Sequence, residues 1–462
     1  MKIDLELAKK YSRPGPRYTS YPTAPHFSED IDPAHYEAEL SDPGTPVTDE
    51  ISLYFHLPFC KTLCYFCACN VIITSRREQI EEYLVTLKKE IDLVSSRLSS
   101  DRKVGQLHWG GGTPTYLTAD EIRDLMEHIH SRFTFADDAE ISVEIDPDEM
   151  SLDRAVALAE SGFNRASCGV QDFNLEVQEA VNRLQSYELT EEVLGMLRSN
   201  GITHINLDLI YGLPFQTVDS FAQSLEQVLQ LDPSRLAVYN YAHVPWLKKH
   251  QTLIDEATLP GPELKLQMHA QIIEYLTTTG GMTFIGMDHY AKPDDELSLA
   301  LNERGLHRNF QGYSTRAGLD MYSMGVTSIS QTYNYFVQNA KLISEYRKMV
   351  DAGRLPIERG IRLTEDDHLR SRLIQDIMCH LEIDLVNISA EFGINFREKF
   401  AGSLAELEPF AEDGLLVDQG DKIVINENGR MFIRNIAMVF DAYLPGKQQQ
   451  GSDTRQRYSK TV

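Results

Sequence analysis

From residue 51 to 285 the chain alternates short apolar, β-branched runs with longer stretches whose apolar positions recur every three or four residues. The short runs are ISLYF (51–55), VGQLHW (104–109), EISVEI (140–145), ASCGV (166–170), INLDLI (205–210) and LAVYNY (236–241). Each is too short for a stable helix and suits a buried strand. The clearest helical pattern lies between the first two, where Ile80, Leu84, Leu87, Ile91, Val94 and Leu98 fall on one face. Weaker helical patterns occupy 119–132, 151–161, 189–200 and 217–230, and another covers 261–278 after the sixth run. The alternation predicts βα units around a parallel sheet. Six units are too few to close an eight-stranded barrel, so the pattern suits an open barrel or a doubly wound sheet. In either case chemistry belongs at the C-terminal ends of the strands.

The flanking regions read differently. Residues 1–50 contain SRPGPRYTSYPTAP, rich in Pro, Gly, Ser and Tyr, which suits an ordered arm or lid. Residues 286–349 read as an extension of the barrel, and 350–445 as a small α-rich domain. That domain has helical patterns at 365–380 and 385–392, a hairpin in LLVDQGDKIVINENGR and a closing segment MFIRNIAMVFDAYL. The tail 446–462 is polar and nearly free of aliphatic residues, as frayed ends are.

Charge narrows the possible partners. Lys and Arg number 44 against 69 for Asp and Glu, a net charge of −25, so the overall field repels nucleic acid and anionic lipid. An anionic ligand would need a local basic pocket. MKIDLELAKKY carries no cationic segment followed by an apolar run, and no stretch approaches the ~18 apolar residues of a membrane span, so a cytoplasmic location is expected.

Four of the six cysteines crowd into CKTLCYFCACN as Cys60, Cys64, Cys67 and Cys69, with spacing C-x3-C-x2-C-x-C. Such clustering in a reducing compartment suggests metal rather than a disulfide framework. Structural zinc prefers two knuckles separated by a dozen or more residues, so a zinc knuckle is the poorer fit. An iron–sulfur cube can be wrapped at three corners by one loop, leaving the fourth iron for another ligand. Cys168 and Cys379 sit in apolar surroundings and read as small buried hydrophobes.

Other polar groups recur at the strand ends. Gly110, Gly111 and Gly112 follow the second strand, where a backbone could approach a ligand closely or simply make a tight turn. Glu144 ends the third strand on the same face as Ser142, either facing a ligand or solvated. Gln171 and Arg183 follow the fourth strand, and Asp208 lies in the fifth. Their recurrence at strand ends favours a ligand-filled bowl. His56, just before the thiol loop, reads as a core histidine satisfied by backbone.

The C-x3-C-x2-C run after the first strand, with Phe66 before the third cysteine, resembles the radical S-adenosylmethionine (SAM) enzymes. More narrowly, GPRYTSYPTAPHFSE, YFHLPFC with LCYFCACN, HWGGGTPTYL, GVQDFN, DLIYGLP, YAHVPW, HRNFQGYSTRAG and RNIAMVFDAYL resemble the oxygen-independent coproporphyrinogen III oxidase family over residues 10–445. The resemblance implies an α/β fold: an open six-unit partial (β/α)6 barrel at 51–285 with an N-terminal arm and a small α-rich C-terminal domain, the 286–349 segment supplying substrate-site loops. It implies that Cys60, Cys64 and Cys67 hold a [4Fe-4S] cluster whose open iron is chelated by SAM. Tyr54, Phe66, Gly111 and Glu144 would surround that SAM, with Gly112 and Thr113 at the junction to a second. Gln171, Arg183, Asp208, Ala242 and Ile329 would hold the second SAM.

Cys69 is not expected on the cluster, and its pairing with Asn70 resembles the decarboxylases rather than their haem-binding relatives. Ala68 and Val71 depart from the family pattern away from any ligand position. The implied reaction converts two propionates of coproporphyrinogen III to vinyl groups through a radical drawn from SAM, with no catalytic side chain. The implied partners are coproporphyrinogen III and an electron donor such as flavodoxin or ferredoxin, acting on a monomer without nucleic acid or membrane. A tetra-anionic substrate needs cations, and Arg13, Arg17, Arg308 and Arg316 are candidates, unless they merely pair with surface acids. The rival readings are a haem-binding relative, a different radical enzyme acting on a tetrapyrrole, and a zinc-stabilised protein.

Overall fold

The computed structural model describes residues 4–41, 48–98 and 101–444, so the tail expected at 446–462 lies outside them. The chain divides into two compact units. One comprises 27–261 and 318–362; the other comprises 1–26, 262–317 and 363–462.

The first unit is built on six parallel strands: β1 (Glu50–Leu57), β2 (Lys103–Gly111), β3 (Phe135–Ile145), β4 (Arg165–Gln171), β5 (His204–Tyr211) and β6 (Arg235–Asn240). They neighbour one another in chain order. Because the order never reverses, there is no switch point of a doubly wound sheet, and the open six-unit barrel is the form adopted. The intervening helices begin where the sequence supplies caps. Thr118 and Glu121 form a capping box on Ala119–Arg132, and Ser151 and Ser186 cap Leu152–Glu160 and Tyr187–Ser199. The helix Arg77–Ser95 buries Ile80, Leu84, Leu87, Ile91 and Val94, the face its periodicity picked out.

Beyond β1 on its other side the sheet continues through β7 (Asp320–Met324), β8 (Ile329–Gln331), β9 (Tyr335–Asn339) and β10 (Ile357–Arg362). β7 pairs parallel with β1, and the rest follow antiparallel. These strands are short, β7 to β9 joined by short turns and β10 reached through the helix Ile343–Asp351, and they left no periodic signal in the sequence. Their addition makes β1 an interior strand covered on both edges. Glu90, fully buried, ties the helix to this extension by accepting from Gly325 N (2.7 Å), Tyr346 Oη (2.5 Å) and Asn339 Nδ2 (2.6 Å).

The second unit gathers three distant stretches around one apolar core. Tyr11 of the N-terminal helix Leu5–Tyr11 stacks on Phe410, with ring centroids 4.5 Å apart. Leu373 and Ile377 from Glu365–His380 and Ile436 from Ile433–Ala437 are buried in the same core. The hairpin expected near 415–430 forms from Leu416–Asp418 and Lys422–Ile425, and Glu382–Asp384 adds a third strand. Tyr18 and Tyr21 are buried: Tyr18 Oη donates to Asp441 Oδ2 at 2.9 Å, and Tyr21 Oη accepts from Ala442 N at 3.0 Å.

Candidate functional site

The thiol loop leaves the C-terminal end of β1 and is closed by a two-residue parallel pairing of Phe59–Cys60 with Ile72–Ile73. Between these points its carbonyls are held from several directions. Leu63 O accepts from Asn182 Nδ2 (2.8 Å), Phe66 O from Gln251 Nε2 (2.9 Å), Cys67 O from His250 Nε2 (2.7 Å) and Cys69 O from Lys248 Nζ (2.8 Å). Asn70 O takes the Nε2–H of His56 (3.0 Å). A carbonyl can only accept, so the neutral ring presents Nδ1 as acceptor to Tyr54 Oη at 3.1 Å. Burial lowers the His56 pKa and favours that neutral form. The expectation of a backbone-satisfied core histidine is met, and the ring also orients Tyr54.

All six cysteines are free thiols; Cys60, Cys64 and Cys67 are half-buried, Cys69 is exposed, and Cys168 and Cys379 are buried. Among the described residues no group of three or more His, Cys, Asp or Glu is gathered closely enough to hold a single metal ion. Thr113 Oγ1 donates to Cys60 Sγ at 3.4 Å, and Arg183 Nη1 donates to Cys64 Sγ at 3.7 Å. Burial pushes the Cys60 thiol up to about 12 and raises Cys64 as well, Arg183 opposing the latter. A hydrogen bond from Cys69 lowers Cys67 to about 7.

The glycines of β2 approach these groups closely. A Cβ on Gly111, which has φ 111°, would lie 2.4 Å from the His56 ring, and one on Gly112 would lie 2.6 Å from the Pro58 carbonyl carbon. Gly112 N and Thr113 N donate to Leu57 O and Phe59 O, both at 2.9 Å, so this turn is stitched to the base of the thiol loop. Glu144 reaches across from β3. Its Oε2 accepts from Gly111 N at 2.9 Å and its Oε1 from His108 Nε2 at 3.5 Å, while its side chain keeps 43% exposure. Burial raises its pKa, but the His108 and Gly111 hydrogen bonds outweigh burial and hold it below the usual carboxylate value. Glu144 is thus an anion with one side committed and the other open. Tyr54 stacks on His108 at 5.9 Å.

Gln171 ends β4 with φ 67°, and its amide and the Arg183 guanidinium both lie over Gly169, where a Cβ would meet them at 2.7 and 3.3 Å. Asp146 pairs with Arg183 through contacts of 2.9 and 3.1 Å and offsets the cost of its burial. Asp208 lies opposite Gly169 on β5, accepting from Ser167 Oγ (2.7 Å) and Asn206 Nδ2 (2.8 Å), and burial pushes it up to about 6. Ala242 follows β6, its carbonyl accepting from Gln251 Nε2 at 3.4 Å, and Phe66 packs against Val177, Val181, Leu213, Tyr241 and Ile254. Ile329 lies on β8, its carbonyl accepting from Ser323 Oγ at 2.5 Å, and Ser323 is the β7 partner of Tyr54.

The carriers of this arrangement that no motif announced are His108, Asp146, Gln185 and the 248–251 turn. Gln185 takes Arg183 Nη2 at 3.1 Å. They act as hydrogen-bond partners to the expected residues, which spacing alone does not reveal. The four arginine candidates lie in the other unit: Arg13 donates to Asn435 O (3.4 Å), Arg17 pairs with Asp288, Arg308 is buried, and Arg316 N donates to Ser314 Oγ (3.0 Å).

The donor set fits an iron–sulfur cluster and SAM: three half-buried thiols in one loop, a glycine turn packed against the base of that loop, and an ionised, partly exposed carboxylate. The profile of the radical SAM superfamily matches residues 54–228, and that of the HemN C-terminal domain matches 363–432. The chain is 46% identical over 461 residues to the oxygen-independent coproporphyrinogen III oxidase of Escherichia coli (strain K12), covering 99% of this chain and 98% of that one. It is 44% identical over 454 residues to the enzyme of the same name from Helicobacter pylori (strain J99), covering 98% and 99%. The solved structure of coproporphyrinogen III oxidase (HemN) from Escherichia coli, described as a radical SAM enzyme, superposes with a TM-score of 0.90 at 44% identity, over 96% of this chain and 100% of that one. With the thiol loop, the open barrel and near full-length identity in agreement, the chain belongs to the oxygen-independent coproporphyrinogen III oxidase family of the radical SAM superfamily.

Proposed function

We propose that this protein decarboxylates two propionate side chains of coproporphyrinogen III oxidatively to vinyl groups without oxygen, giving protoporphyrinogen IX in haem biosynthesis. The supporting observation is the set of three half-buried thiols held in one loop after β1, in a chain whose full-length relatives bear that activity in their names. When bound, a [4Fe-4S] cluster and SAM supply a 5′-deoxyadenosyl radical able to take a hydrogen from a β-carbon that no side chain of ordinary pKa could deprotonate.

Cys60, Cys64 and Cys67 would hold the cluster and Cys69 would stay off it, so that one iron lacks a protein donor. Tyr54, Phe66, Gly111 and Glu144 would bind the SAM on that iron, the open face of Glu144 accepting from its ammonium or ribose hydroxyls. Gly112 and Thr113 would stand at the junction to a second SAM, held by Gln171, Arg183, Asp208, Ala242 and Ile329. Because Asp146 already balances Arg183, that arginine would position a carboxylate by hydrogen bonding more than by net charge. Apart from Ile329, residues 51–285 would serve the cofactors, and the arm 1–50 and the rest of segment 286–349 the substrate. The electron would come from a flavodoxin or ferredoxin delivered to a cytoplasmic monomer. No helix of the described residues is long and apolar enough to cross a membrane.

The test is anaerobic incubation of the reconstituted protein with coproporphyrinogen III, SAM and a reductant. Protoporphyrinogen IX with two molecules of carbon dioxide is the expected outcome. Tetrapyrrole binding without decarboxylation, or methyl transfer, would sink the reading.

A further inference from the structure

Arg308 is the central residue of the first strand of the hairpin His307–Asn309 and Gly312–Ser314 and is only 2% exposed. Its backbone is fixed by Gln375, which accepts from Arg308 N (3.3 Å) and donates to Arg308 O (2.5 Å). The guanidinium carbon lies 4.7 Å from the centroid of the Tyr313 ring, and Tyr313 is itself anchored by its hydroxyl to Met378 O at 3.0 Å. Yet Arg308 Nε and Nη1 have no hydrogen-bond partner among the described residues. Attraction to one aromatic face replaces only part of the hydration such a group gives up.

The surroundings increase the imbalance. Asp288 feels Arg308, but it is already paired with Arg17. Arg434, also buried, is repelled by Arg17 and Arg308 and directs its donors at the Pro16 carbonyl (2.9 Å) and the Gly15 carbonyl. Burial together with these like charges lowers the Arg434 pKa to about 9. Three guanidinium groups therefore act on the carboxylate of Asp288, inside a protein whose net charge is −25. Arg17, with 33% side-chain exposure, is the side of the cluster that solvent reaches.

We infer that the Arg308 cluster, bordered by Arg17, Arg434 and Asp288, is a binding site for one carboxylate of the substrate, with Arg308 Nε–H and Nη1–H donating to it. This rests on the substrate assigned above, and it separates four arginines that the sequence left equivalent. Arg308 is the one whose donors await an acceptor; Arg13 is turned to a backbone carbonyl.

The test measures binding of coproporphyrin III, the stable aromatic tetracarboxylate, and of its tetramethyl ester to the anaerobic holoenzyme, alongside KM for coproporphyrinogen III. The wild type should prefer the acid. Arg308→Met should weaken acid binding at least tenfold, leave ester binding unchanged, raise KM at least tenfold with a smaller change in kcat, and melt no lower than the wild type, since it removes a buried charge whose Nε and Nη1 have no hydrogen-bond partner among the described residues. Arg308→Lys should recover part of the affinity. Any of three results overturns the site: a wild type that does not prefer the acid, a Met variant that binds it normally, or a Met variant that melts earlier or fails to fold, which would make Arg308 part of the frame. A wild type that makes no protoporphyrinogen IX defeats the assigned reaction instead, and the acid-over-ester preference and its loss in the Met variant read the carboxylate site separately.

Discussion

The thiol loop and the Arg308 cluster are both polar arrangements set against apolar cores, but their hydrogen bonds are arranged in opposite ways. In the loop the protein's own donors take up the carbonyls of Leu63, Phe66, Cys67, Cys69 and Asn70, and the sulfurs of Cys60, Cys64 and Cys67 each accept from a neighbour, Thr113, Arg183 and Cys69. In the cluster the backbone of Arg308 is secured while Nε and Nη1 of its guanidinium lack acceptors among the described residues. A loop whose carbonyls are tied to several other elements can keep its shape before anything binds, which suits a resident cofactor that must be gripped in one geometry. A buried charge short of acceptors is costly until an anion arrives, which suits a ligand that comes and goes.

The contrast can be broken at several points. The largest effect should follow Cys64→Ser, which removes one of the three thiols proposed to hold the cluster: activity should fall at least ~10³-fold, with loss of iron and of the visible sulfide-to-iron absorption. Coproporphyrin III binding at the Arg308 cluster should survive that change, and a parallel loss would show that the two regions are not independent. Glu144→Gln keeps the shape and removes the charge; SAM affinity and SAM cleavage should fall about 10²-fold while iron content is unchanged. Both can be read on the same reconstituted sample.

Stability probes the frame. Glu90→Ala should destabilise by about 2–3 kcal/mol in denaturant titrations, because the Gly325 amide, Tyr346 hydroxyl and Asn339 amide lose a buried acceptor. Burial raises the Glu90 carboxyl to about 7, against hydrogen bonds from Tyr346, Gly325 and Asn339. The folded state therefore binds this proton more tightly than the unfolded chain. Its contribution is complete below the unfolded value near 4.5 and is lost as pH rises toward about 7. The difference between wild type and Glu90→Gln melts should shrink or change along that interval; a constant difference would remove Glu90 as the source. The smallest effect, about 1–2 kcal/mol, is expected for Gly112→Ala, whose Cβ would press on the Pro58 carbonyl carbon, with iron per chain falling as the loop base shifts.

Much of this was legible along the chain. All six barrel strands formed where the apolar runs lay, and the helices between them started at Thr118, Ser151 and Ser186 because these side chains satisfy otherwise orphaned amide groups. The thiol loop was legible because its chemistry is local: Cys60, Cys64 and Cys67 lie within eight residues, and their position after a strand follows from periodicity alone. Local propensity, capping and spacing act over a few residues, so sequence by itself determined the barrel units and the place of the thiols.

Only the tertiary structure decided the rest. Strands β7–β10 are three to six residues long and have meaning only beside β1. The partners that tune the site, such as His108 for Glu144 and Asp146 for Arg183, are reached through pairing between strands and the turns that follow them. The Arg308 cluster draws on residues 17, 288, 308 and 434, and whether each guanidinium finds an acceptor is a property of packing that no single segment carries. Burial sets the cost of a polar group, and burial is a sum over distant parts of the chain.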